Sequence, residues 1–256
     1  MKNKVFSFIS IIVLLNAQDP VGETAKQGDV AAKTPSDSPK KKSMEEALKN
    51  KKEIVGLFTM YQDTTSGKLF MLIKKEQLNK EYIHFIYGSN GHNNAGVNQG
   101  WPYYSRVLKL KKYFSRVEFE IQNNAFYFDP KNPLSRSSDS NVSTAILASS
   151  SIISDKDDKI LIGVDNVFLT EALHQITRGF IPGTPNKNPF KLGRLSKEKT
   201  KYFSIKNYPE NTDILVQYVY TNPLPTNRGS DEGITDPRSV NVSLQHSFIA
   251  VPQNDF

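Results

Sequence analysis

The sequence has no cysteine in its 256 residues, and it has one tryptophan, four histidines and four methionines. Without cysteine there can be no disulfide-stapled mini-protein, no thiol enzyme and no thiolate-ligated zinc or iron–sulfur site. The lipid-modified cysteine of a bacterial lipoprotein is excluded as well. No hydrophobic run reaches the ~18 to 20 residues that a transmembrane helix needs. Nor is there a strong excess of one charge. Residues 1–52 hold ten lysines and six acidic residues, and the other 204 residues carry 23 basic and 20 acidic side chains. The net charge of +7 is therefore concentrated at the front. The body is too nearly balanced to offer the broad positive face that phosphate binding needs, so nucleic acid is not an expected partner.

What is present begins with the pattern of an export signal. Met1 to Lys4 is basic, Val5 to Leu15 is apolar except for Ser7 and Ser10, and Ala17 offers a small residue for cleavage. This order predicts a signal peptide over 1–17 and an exported protein, periplasmic or secreted, without a transmembrane anchor. Residues 18–43 are rich in Pro, Ser, Gly, Ala, Asp and Lys and end in Lys40-Lys41-Lys42, which predicts a disordered linker.

From Met44 the pattern is that of a β-dominated α+β domain over 44–256, in which 44–90 forms a candidate small subdomain. A short helix is expected over 44–52. Strands are expected at 54–62, 68–74, 82–87, 104–110, 116–122, 125–129, 144–154, 159–164, 201–206, 213–220 and 239–251, arranged in antiparallel meander or sandwich-like sheets. Asp63-Thr64-Thr65-Ser66-Gly67 and Asp155-Lys156-Asp157-Asp158 read as hairpin connections. The second lacks the glycine and distal Glu of a calcium loop. One clear helix is expected over 165–178, where Phe168, Leu169, Leu173 and Ile176 repeat at helical spacing and Thr170 or Asp165 can cap it. Glu171 and His174 would then share a face as a surface pair.

Two segments are candidates for contact with a ligand. Residues 88–100 hold little but Gly and Asn, which predicts a long flexible loop containing His92. Trp101, Tyr103 and Tyr104 follow it and form a candidate stacking platform for a peptide or sugar. Val240, Val242, Leu244, His246, Phe248 and Ala250 alternate along the last strand, so His246 is expected as a neutral, hydrogen-bonded imidazole among the inward residues. Ser247 lies on the opposite face and cannot pair with it as nucleophile and base. No GxSxG is present, and no catalytic, cofactor-binding or metal-ligating residue can be assigned.

A series of short motifs adds a family likeness. Gly56-Leu57-Phe58-Thr59 with Gly67-Lys68-Leu69, Phe168-Leu169-Thr170-Glu171-Ala172-Leu173-His174, Asn207-Tyr208-Pro209-Glu210-Asn211-Thr212-Asp213, and Asp236-Pro237-Arg238-Ser239-Val240 running into Gln245-His246-Ser247-Phe248 recur in order. Together they resemble the domains of unknown function that precede the catalytic domain in a family of exported bacterial zinc metallopeptidases. The resemblance covers about 44–256. It implies a non-catalytic N-terminal region whose partner is a metallopeptidase catalytic domain, with a peptide as the eventual substrate. That family's peptidase carries HExxHxxGxxH, in which two His one helical turn apart hold zinc and the Glu activates water. None of His84, His92, His174 and His246 is followed by Glu-x-x-His, so zinc is expected in the full-length family and no cofactor in this chain. The other expectation is a free-standing exported binding module for peptide or glycan.

Overall fold

The computed structural model describes residues 43–126, 129, 131–137, 142–176, 190–225 and 233–252. The expected signal peptide and nearly all of the linker lie outside these residues, as does part of the predicted strand at 125–129. In the described part of that strand, Ala125 and Phe126 are not extended into a sheet.

The chain from Lys41 onward forms one compact unit. It opens with helix α1 (Met44–Leu48), capped by Ser43, whose hydroxyl accepts from the Glu46 amide at 3.2 Å. Twelve strands follow. They are β1 (Lys51–Ile54), β2 (Thr59–Asp63), β3 (Leu69–Lys74), β4 (Glu81–Asn90), β5 (Pro102–Tyr113) and β6 (Arg116–Ile121). After them come β7 (Ala145–Lys156), β8 (Lys159–Gly163), β9 (Arg194–Leu195), β10 (Lys201–Asn207), β11 (Asn211–Thr221) and β12 (Ser239–Ala250). A one-turn helix, α2 (Asp165–Phe168), sits between β8 and β9.

All pairings are antiparallel, in the order β1-β2-β3-β8-β7-β6-β5-β4-β12-β11-β10, with β9 beside β11. The domain is β-dominated, as the sequence predicts, but among the described residues it is a single curled sheet with two short helices rather than stacked sheets with one long helix. The first and last strands of the path come together. Asn207 at the end of β10 donates its amide to Ile54 O at 2.8 Å and to Phe58 O at 2.6 Å, and it accepts from the Thr212 hydroxyl at 2.6 Å. Leu57 N donates to Tyr208 O at 2.7 Å, and Phe58 N donates to Thr212 Oγ1 at 3.1 Å. This seam breaks the strand expected over 54–62 into β1 and β2, because the chain turns at Gly56 to meet β10. A Cβ on Gly56 would run into the Asn207 side chain.

The curl gives the sheet an inside and an outside. Met60, Leu69, Met71, Ile73, Leu108, Leu110, Val117, Phe119, Ile160, Ile162, Ile214, Val216, Val242, Leu244 and Phe248 line the inner core, and nearly all are fully buried. On part of the outside, Ala47 of α1 packs over Leu72 and Leu161. β3 and β8 are therefore covered on both faces, and this is why Leu69-Phe70-Met71-Leu72-Ile73 and Ile160-Leu161-Ile162 read as unbroken apolar runs. Elsewhere the outer face carries charge pairs between neighbouring strands, such as Lys109–Glu81 at 3.0 Å and Lys111–Glu120 at 2.7 Å. The turn at Asp157 and Asp158 has φ of 51° and 58°, the left-handed pair of a tight hairpin, which matches the reading of that acidic cluster as a turn.

The expected helix over 165–178 stops after one turn. Carbonyls that further turns would need are taken by side chains: Tyr218 donates to Phe168 O and Thr170 Oγ1 to Asn166 O, both at 2.8 Å. Neither proposed cap serves as one. Val164 is the N-cap residue, and the Asp165 carboxylate instead accepts from Leu69 N at 3.0 Å and Tyr202 Oη at 2.9 Å. Residues 169–176 continue as an irregular strap.

Replacing Asn207 with Ala leaves Ile54 O, Phe58 O and the Thr212 hydroxyl without their partner at the seam. The expected loss in urea unfolding is about 2–4 kcal/mol. A change below about 0.5 kcal/mol, the scale of an ordinary surface substitution, would show that the seam does not hold the sheet closed.

Candidate functional site

The polar chemistry of this domain is concentrated inside the sheet. Strand alternation turns Tyr82, His84 and Ile86 of β4, Tyr104, Arg106 and Leu108 of β5, Tyr218 and Tyr220 of β11, and His246 and Phe248 of β12 to one face. The strap adds Leu173 and His174, both buried, and half-buried Glu171. His84, His246 and Tyr218 are completely excluded from solvent.

The hydrogen bonds here run in one direction. Tyr218 Oη lies 2.8 Å from both Phe168 O and His246 Nε2. A carbonyl can only accept, so the single phenol proton goes to Phe168 O and Tyr218 Oη must accept from His246 Nε2–H. His246 Nδ1 is then the bare nitrogen, and it accepts from His84 Nε2–H at 3.3 Å. His84 Nδ1 is left as a bare nitrogen without a partner. The chain His84 to His246 to Tyr218 to Phe168 O is thus made of two neutral imidazoles in defined tautomers, set by a backbone carbonyl at its far end. His174 lies edge-on to Tyr218 and His246, at ring-centre distances of 4.4 Å and 5.5 Å, and both its ring nitrogens are buried and unpartnered.

The surroundings oppose a positive charge on any of the three. His84 is stacked on Phe248 at 4.6 Å, and Phe168 meets His246 edge-on at 5.6 Å. Arg106 is the cross-strand partner of His84. Its guanidinium sits 3.7 Å above the Tyr104 ring, and no carboxylate ion-pairs with it among the described residues. Burial first, and then the Arg106 charge, push His84 and His174 down to about 3; burial and the neighbouring imidazoles push His246 well below its usual value. Glu171 on the strap is occupied by Tyr220 Oη at 2.6 Å and Ile176 N at 3.2 Å. That carboxylate, together with burial, pushes Tyr220 up far beyond the phenol range. The Glu171–His174 surface pair expected from helical spacing does not form, because the helix ends before it and His174 turns inward.

The residues expected at the Gly/Asn loop are placed differently from one another. β4 continues to Asn90, and a single 3-10 turn covers Asn93–Ala95, so 88–100 is not one long free loop. It folds back on β4: Gly88 N donates to Trp101 O at 3.0 Å and Gly100 N to Gly88 O at 2.8 Å, while Val97 is completely buried. Tyr103 Oη pins the loop, donating to Gly96 O at 2.8 Å and accepting from Asn98 N at 2.9 Å. Tyr104, facing the other side of β5, holds the strap through Gln175. His92 is half-buried at the base of the 3-10 turn. Trp101 remains 62% exposed. The aromatic cluster is therefore divided between loop, interior and solvent.

His246 stands where the alternation of β12 puts it, as an inward, hydrogen-bonded imidazole. Sequence reading did not single out His84 or Arg106. Their signal was the alternation of Tyr82-Ile83-His84-Phe85-Ile86-Tyr87, which is masked because both faces are apolar or aromatic.

A zinc site of the peptidase type does not fit these residues. Both nitrogens of His246 are engaged, and no three His, Cys, Asp or Glu side chains converge as metal ligands would among the described residues. No helix among them is long and apolar enough to cross a membrane.

These features define a β-rich domain with a sealed, neutral histidine–tyrosine interior. Comparison with known families places the chain: the model of a domain of unknown function, DUF5117, matches residues 103–256, and the chain belongs to that family. No curated protein and no solved structure matches it.

Replacing Tyr218 with Phe keeps the ring but strands Phe168 O and His246 Nε2–H. Chemical denaturation should show a loss of about 2–4 kcal/mol, the cost of two buried polar groups without partners. Stability equal to that of the parent would mean that the directional chain does not form.

Proposed function

We propose that this domain is the non-catalytic N-terminal region of an exported zinc metallopeptidase, where it helps the catalytic domain to fold, shields its cleft or positions its substrate. The observation that carries this reading is the ordered series of motifs from Gly56 to Phe248 that resembles the region preceding the catalytic domain in that peptidase family. The motifs are also structural determinants of this domain. Gly56-Leu57-Phe58 and Asn207 to Thr212 form the seam. Phe168 to His174 forms the strap, and Gln245 to Phe248 supplies the inner histidine. Sequence spent on closing a sheet and sealing its interior suits a domain that acts through its surface and stability rather than through chemistry of its own.

The test is to purify this chain alone and to add it to a separately produced catalytic region carrying HExxHxxGxxH. The chain alone is expected to leave casein intact with or without chelator. In trans it is expected to change the yield or the cleavage rate of the peptidase. Chelator-sensitive cleavage by the isolated chain would overturn the reading.

One feature favours a second reading, a free-standing exported module for peptide or glycan. Trp101 is the chain's single tryptophan, and it stands 62% exposed beside a loop that Tyr103 holds in place. A rigidly based, exposed indole is a stacking surface. In this reading a peptide or oligosaccharide changes the indole fluorescence of the parent, and replacing Trp101 with Ala abolishes retention on the immobilised ligand. Undiminished retention by that variant would remove Trp101 from consideration.

A further inference from the structure

We propose that residues 169–176 are an acid-released latch on the sheet's interior, with His174 as the trigger. The strap closes over the inner face at neutral pH and swings out on acidification while the sheet stays folded.

Three structural observations support this. First, His174 is buried with both ring nitrogens unpartnered, so a proton on it has no acceptor in the closed state and full hydration in the open one. Second, the charges that face it are unfavourable or already used. On β5, Arg106 is positive and lies across from His84. β4 and β12 present His84 and His246, and β11 presents the phenols of Tyr218 and Tyr220, which are held neutral. Glu171 on the strap itself is bound by Tyr220 and Ile176 N. Asp165 of the neighbouring α2 is committed to Leu69 N and Tyr202.

Third, the strap is the part that can yield. β4 is paired on both sides, by β5 and β12, and β12 is paired by β4 and β11. His84 and His246 therefore stay in place on paired strands and cannot be carried out of the interior with the strap. Among the described residues the strap pairs with no strand. It is held by single side chains: Tyr218 at Phe168 O, Tyr220 at Glu171, and Tyr104 at the backbone of Gln175. Releasing it lifts Leu169, Leu173, His174 and Ile176 off the core. Of the three imidazoles, His174 is the one with a local route to solvent.

The size of the effect follows from linkage. His174 titrates near 6.5 when free and at about 3 in the closed domain. Between those values the open state binds one more proton, so opening becomes easier as pH falls and harder as it rises. From pH 7.5 to pH 5.0 the opening equilibrium should rise about 30-fold.

The experiment is hydrogen exchange on the whole chain at pH 7.5 and pH 5.0, corrected for intrinsic rates and read at Gln175, the strap amide that donates across to Tyr104 Oη of β5 in the closed state. Protection there should fall about 30-fold while protection in β11 and β12 holds. The variant His174→Phe keeps an aromatic ring that cannot be protonated and should abolish the pH dependence; His174→Gln serves if the larger ring is not accepted. The proposal fails if strap protection is the same at both pH values, if strap and strands lose protection together, or if a folded variant lacking the imidazole still opens with acid. The parent measurement decides between the first two outcomes without any variant.

Discussion

The closure of the sheet at Asn207 is the constraint on which the rest of the domain depends. A curled sheet with free edges would leave the backbone groups of β1 and β10 to solvent or to another chain. Here one side-chain amide spans the gap, with both donors on carbonyls of the first strands and its acceptor on Thr212. The closed sheet then encloses a space that side chains must fill and water does not hydrate. Burial of this kind turns histidine into a neutral residue: Phe248 and Phe168 pack on His84 and His246, and the charge across from His84 is that of Arg106.

Closure also explains the directionality of the interior. In water each imidazole could exchange tautomers, but here Phe168 O fixes the Tyr218 proton, Tyr218 fixes His246, and His246 fixes His84. The same carbonyl that orders this chain is one that a longer helix would have used. One bond therefore ends α2, starts the strap and sets the protonation pattern of two strands. The strap also buries His174, which that interior accommodates only as a neutral ring, so the seal and its weak point arise from the same burial.

The strands were legible wherever one face meets the core and the other meets water. β12 alternates in sequence over its length, and the β2–β3 and β7–β8 hairpins fall where their turns predict. The interior was less legible, for reasons that are local. The 165–178 segment has helical spacing, yet the side chains that intercept its carbonyls come from β11 and from Thr170, and the tyrosines of β11 lie some 50 residues further on. The inward residues of β11 are Ile214, Val216, Tyr218 and Tyr220, whereas Leu215, which looks like a core residue in sequence, is only partly buried. His84 hides among aromatic residues on both faces of β4. The seam joins residues about 150 positions apart, beyond the reach of any local pattern, although Gly56 and Asn207 both stand in the motifs that carry the family resemblance. Trp101, Tyr103 and Tyr104 are consecutive or nearly so, but alternation along β5 sends the two tyrosines to different tasks.

The most direct test of this account is the protonation state of the buried imidazoles, read at pH 7 by long-range nitrogen–proton NMR of the ring nitrogens. The account predicts that His84 and His246 are both neutral and both protonated at Nε2, with bare Nδ1 atoms. A charged ring, or a proton on Nδ1 of His246, would contradict it, because the bond from His84 and the orientation of Tyr218 could not then coexist.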